Sequence, residues 1–103
     1  MKESDLPSKR DKVEFAYRRA RLAHKTNDFT LAKKYYRDTI ERNGQDNWYY
    51  APNSWLQLGY IAVDEKDPEA ATYFSRALEY KKHEYKNSID TKARSALAQL
   101  KRK

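Results

Sequence analysis

At 103 residues the chain has room for one domain with a modest core and not for two independent ones, and 14% aromatic residues set it apart from a disordered tail even though 36% are charged. It has no Cys, which excludes disulfide frameworks, thiol catalysis and cysteine metal sites. The net charge of +7 is uneven: residues 1–43 carry 12 basic and 7 acidic side chains, residues 44–80 carry 2 and 6, and residues 81–103 carry 8 and 2, so two basic ends flank an acidic middle.

With two Gly, three Pro and abundant Ala, Leu, Lys, Arg and Glu, the composition suits helices joined by short turns, and the expected class is all-α. The opening MKESDLPSKRDK has no apolar stretch of the signal-peptide kind, and the longest uncharged run, residues 47–63, is interrupted by Asn, Pro and Gln. The expected location is cytoplasmic. Residues 1–7 read as a flexible N-terminus ahead of a single helical domain at 8–103.

In chain order, Val13, Phe15, Ala16, Ala20, Leu22 and Ala23 recur at three- and four-residue spacings and predict an amphipathic helix from Ser8 to Thr26. Asn27-Asp28 offers a turn and a cap. Phe29, Leu31, Ala32, Tyr35, Tyr36, Thr39 and Ile40 then predict a second helix, stopped by Asn43-Gly44, which makes residues 8–43 an antiparallel hairpin. The segment 44–52, GQDNWYYAP, reads as a loop. A second hairpin is expected at 53–82, its third helix built on Trp55, Leu56, Leu58, Ile61 and Ala62. Its fourth helix opens at Asp67-Pro68-Glu69 and carries Ala70, Tyr73, Phe74, Ala77 and Leu78. After an Asn87-Ser88 cap, Ile89, Ala93, Ala96, Leu97 and Leu100 predict a closing helix at 88–101.

The two hairpins superimpose as sequence with a period of 38–39 residues: Asp28, Ala32, Tyr36, Thr39 and Ile40 fall on Asp67, Ala70, Phe74, Ala77 and Leu78, and Ala16, Ala20 and Ala23 on Trp55, Gly59 and Ala62. Trp55, Leu58, Gly59, Ala70, Phe74 and Ala77 stand in a large–small pattern that resembles the tetratricopeptide repeat. The likeness is fullest in the second hairpin; in the first, Ala16 stands for the usual Trp and Arg19 for the usual Leu. The resemblance implies a short right-handed α-solenoid of two such hairpins plus a C-terminal capping helix. YYAPNSWLQLGYIA with KKHEYKNSIDTKARSAL further resembles the C-terminal end of the tetratricopeptide repeat protein 39 group.

By the same resemblance, the first helices of successive hairpins present a concave surface that binds extended peptides. The outward positions expected there are Glu14, Tyr17, Arg18, Arg21, His24 and Lys25 on the first helix and Asn53, Leu56, Gln57, Tyr60 and Asp64 on the third. The peptide-binding groove expected from these is lined by Tyr17, Arg18, Arg21, Lys25, Asn53, Gln57 and Tyr60, and suits an acidic or C-terminal peptide. The chaperone-tail binders of the family carry a Lys and an Asn where this chain has Tyr17 and Arg21.

Other readings compete with that one. Lys81, Lys82, Lys86, Lys92 and Arg94, with Lys101, Arg102 and Lys103, could track the phosphates of RNA or single-stranded nucleic acid or meet an acidic surface, and Trp48, Tyr49 and Tyr50 could stack on bases or plug the gap between hairpins. A purely structural role, as the terminal piece of a helical-repeat assembly or a homodimer, is the third. His24 and His83 are the only histidines, and no paired acid/base set, phosphate loop or ligand spacing surrounds either, so the expectation is no enzyme, no metal and no cofactor.

Overall fold

A computed structural model describes residues 8–101. The expected tail at 1–7 and the last two basic residues, Arg102 and Lys103, lie outside that span. Among the described residues there are five helices: α1 (Lys9–Lys25), α2 (Phe29–Asn43), α3 (Tyr50–Asp64), α4 (Ala70–Leu78) and α5 (Lys86–Lys101). None of them is long and apolar enough to cross a membrane.

The internal repeat is visible in the backbone. Asn27 after α1 and Lys66 after α3, one period of 39 residues apart, both take a left-handed conformation, with φ of 65° and 57°. The amide that follows each one reaches back to an equivalent carbonyl, Asp28 N–H to Ala23 O at 2.9 Å and Asp67 N–H to Ala62 O at 2.8 Å. This is the six-to-one closure of a helix end, and it turns the chain tightly enough for the next helix to run antiparallel. The aspartates then serve the following helices. Asp28 Oδ1 accepts from Leu31 N–H at 3.2 Å, and Asp67 Oδ1 from Glu69 N–H at 2.9 Å. The second turn is one residue shorter, which is why the period falls from 39 to 38 across it.

Four boundaries differ from expectation, one of them the start of α4, which lies at Ala70 with Glu69, not Asp67, at its cap. Helix α3 starts at Tyr50, not 53, because Pro52 sits in its first turn, where a missing N–H leaves no intrahelical bond unmade. Helix α4 ends at Leu78 and not at 82, and α5 begins at Lys86, two residues before the expected start. The α4–α5 connector bends through Tyr85, which is left-handed at φ 57°, and the Tyr85 carbonyl accepts the first bond of α5 from Ile89 N–H at 3.1 Å.

Two apolar centres run side by side. The first holds Val13, Tyr17, Ala20, Ala32 and Tyr36 with Tyr50, Leu58 and Ile61 of α3; the second holds Leu56, Ala62, Ala70, Phe74 and Ala77 with Ile89 and Ala93 of α5. Helix α3 is thus shared: one face closes the first hairpin and the opposite face builds the second. Helix α5 packs on α4 and α3 as α3 packs on α2 and α1. It occupies the place of the first helix of a further repeat.

Loop 44–49 is tied down from several sides. Asn43, fully buried, donates through Nδ2 to the carbonyls of Gly44 and Asp46, both at 3.2 Å. Lys9 pairs with Asp46, and the Arg10 guanidinium lies 5.7 Å from the Trp48 ring centre while bonding both Glu84 carboxylate oxygens at 3.0 Å. Arg10 therefore joins the start of α1 to the α4–α5 connector, bringing the two basic ends of the chain together through an acidic bridge.

Candidate peptide groove between the first and third helices

Helix α1 turns Glu14, Arg18, Arg21 and Lys25 to one side at helical spacing, and α3, lying beside it, turns Asn53 and Gln57 the same way. Arg21, Leu22, His24, Lys25 and Gln57 line an open groove of about 560 Å³. Arg21 and Lys25 are exposed and form no ion pair among the described residues, whereas Arg18 is held by Glu14 at 2.9 Å. The cations on offer at the groove are therefore Arg21 and Lys25.

His24 forms part of the groove floor. Its Nδ1 lies 2.9 Å from the Tyr36 hydroxyl, and its ring meets Phe29 and Tyr36 edge-on with centres 5.8 Å away. Burial pulls its pKa below the usual imidazole value, the Arg21 charge pulls the same way, and Asp64 opposes them. Burial and the Arg21 charge both favour the neutral ring. Tyr36, sealed beneath it, is pushed up to about 12 chiefly by burial.

Of the expected groove residues, Arg21, Lys25 and Gln57 come together. Tyr17 does not line the surface: it is 8% exposed, its ring packed among Tyr36, Tyr49 and Tyr50, and its hydroxyl is bonded by Asn53 Nδ2. Leu56 is likewise fully buried. The two share a cause. They are one period apart, at the position each first helix turns toward the next one, so α3 covers Tyr17 and α5 covers Leu56. Tyr60 is half-buried with its ring 5.5 Å from Phe74, belonging to the second core more than to the groove.

The exposed tyrosine surface lies outside the groove lining, at residues that helical periodicity did not place. The rings of Tyr17 and Tyr49 meet edge-on at 5.6 Å, and those of Tyr49 and Tyr85 at 5.3 Å, so a row of tyrosines crosses from α1 over the start of α3 to the start of α5. Tyr85, 70% exposed, is its open end. Tyr50 is buried, with its hydroxyl donating to Glu14 at 2.9 Å, and Trp48 lies under Lys9 and Arg10. The Trp48, Tyr49 and Tyr50 cluster fills the gap between hairpins.

The C-terminal cations are dispersed. Lys81 and Lys82 are exposed on the connector, Lys86 is paired with Asp90, and Lys92 and Arg94, both exposed, point roughly 200° apart around α5. No group of three or more His, Cys, Asp or Glu suited to a metal ion gathers among the described residues.

Residues 13–46 match the family model of the tetratricopeptide repeat. Comparison with curated proteins and with solved structures gives no match. The matched span is the first hairpin, although the second carries more of the large–small pattern. Residues 13–46 make up a full 34-residue unit of that repeat, whereas the second hairpin is one residue short at the Asp67-Pro68 turn. The repeat serves protein–protein contact in general. The first hairpin of this all-α chain is thus similar to a tetratricopeptide repeat over residues 13–46.

Proposed function

We propose that the chain is a non-catalytic interaction module whose α1–α3 groove holds an acidic or C-terminal segment of a partner protein. The observation that carries this reading is the convergence of Arg21, Lys25, His24 and Gln57 on one open groove, with two cations left without a carboxylate partner. Arg21 offers a planar fork for a carboxylate and Lys25 a second charge, while the Gln57 amide can serve a peptide backbone. The tyrosine row ending at Tyr85 gives apolar side chains of the same segment a surface to lie on.

Calorimetric titration with a synthetic Glu-rich hexapeptide tests the reading. A free C-terminus should bind more tightly than its amide, added salt should weaken both, and the double exchange Arg21→Glu with Lys25→Glu should remove binding. Equal affinity of that variant and the parent chain contradicts the groove assignment.

A further inference from the structure

Successive hairpins stack through one repeated face. In α3, Tyr50, Leu58 and Ile61 are turned to the first hairpin and each is at most 2% exposed. One period of 39 residues on, Ile89 and Ala93 of α5 are buried on the second hairpin, with Leu97 and Leu100 partly covered. One period earlier than α3, the same face of α1 carries Arg19 and Leu22, with Phe15 one turn before Arg19. No described element covers that face, and Leu22, 64% exposed, is with Tyr85 one of two large apolar side chains left in solvent among the described residues. With Leu31 and Tyr35 of α2 it borders a shallow, mainly apolar groove of about 350 Å³.

Arg19 stands where a neighbouring hairpin would. Its guanidinium lies 4.2 Å from the Tyr35 ring centre and 5.4 Å from that of Phe15, and it bonds the Tyr35 hydroxyl. At the equivalent position of the second hairpin, the Tyr73 hydroxyl takes its bond from Arg37 of the preceding hairpin, at 3.1 Å. An exposed arginine on a flexible stem can swing off an aromatic surface when something apolar replaces it.

We propose that this α1–α2 face, which shares only Leu22 with the lining of the peptide groove, is a docking surface for a helical hairpin of the same repeat type on a partner protein. The internal α1–α2 contact with α3 shows what such a partner presents: small and aromatic side chains in the pattern of Val13, Tyr17, Ala20 and Tyr36. A second copy of this chain fits less well. The end it would bring is α5, whose exposed cations Lys92 and Arg94 repeat the charge sign of Arg19 and Lys34.

A chain with residues 8–46 duplicated in tandem tests this, because the extra hairpin then lies one period ahead of the original. Stacking predicts one cooperative thermal transition with a midpoint at least ~5 °C above the parent. Leu22→Glu in the downstream copy should undo that rise, while the same exchange in the parent chain leaves its midpoint unchanged. Two separate transitions, failure of the extra hairpin to fold, or an equal effect of Leu22→Glu in both chains overturns the proposal. So does parent self-association, in sedimentation, that Leu22→Glu abolishes, since the occupant would then be a second copy.

Discussion

A Cβ placed on Gly59 would lie 2.6 Å from Cδ1 of Phe74 and 2.7 Å from its Cζ, so the aromatic ring of α4 rests directly on the backbone of α3. Phe74 is fully buried and has no room to retreat. Gly59→Ala should therefore destabilise the chain by roughly 1–3 kcal/mol through overpacking, against about 1 kcal/mol of helix propensity regained. Urea unfolding measures the net loss. Adding Phe74→Leu to Gly59→Ala should cost less than the two single losses summed, a coupling that a double-mutant cycle reads directly.

The paired left-handed residues after α1 and α3 give a second expectation. Lys66 bears a Cβ in a conformation that disfavours one, so Lys66→Gly should stabilise by about 0.5–1 kcal/mol, whereas Asn27→Gly should change little because Asn tolerates that region. Thermal denaturation of the two variants side by side checks the contrast.

His24 sets a pH dependence. Its pKa in the fold lies below its unfolded value, so the folded state resists protonation: the stability this group contributes is present above about pH 6.5 and is lost as pH falls through the lower folded value. His24→Gln should flatten the fall in unfolding free energy between pH 7 and pH 5. An unchanged slope in the variant would assign the fall to carboxylates instead.

The aromatic plug also predicts its own sensitivity. Tyr50→Phe removes the hydroxyl that donates to Glu14 and lies beside Arg10, at a 2% exposed site, and should cost about 0.5–1.5 kcal/mol. Trp48→Ala, whose ring is only half-buried, should loosen the loop, and hydrogen exchange of the Asp46 amide, which donates to Asn43 O, reports it.

Most of the architecture was legible because apolar spacing and turn chemistry agree along the chain. Ser8 and Asp28 cap α1 and α2 as their side chains imply, whereas Asp67 bonds the turn ahead of α4, whose cap is Glu69, and Gly59 with Phe74 declares close packing in the sequence itself. The start of α3 was hidden because Pro52 and Asn53 look like turn residues, although the first turn of a helix accepts Pro. The site was half legible. Arg21, Lys25 and Gln57 follow from one helical face, but spacing within one helix cannot show which neighbour covers Tyr17 or Leu56. Only the stacking of the next hairpin decides that. Tyr85 gave no local signal, since its exposure depends on a left-handed backbone between α4 and α5.

Backbone amide shifts followed by NMR while the acidic hexapeptide is titrated test the central claim most directly. The account predicts saturable changes concentrated at Arg21, His24, Lys25 and Gln57, spreading toward Tyr49 and Tyr85, with α4 unaffected. Changes confined to Lys81, Lys82, Lys92 and Arg94, or none at the α1–α3 groove, would contradict it.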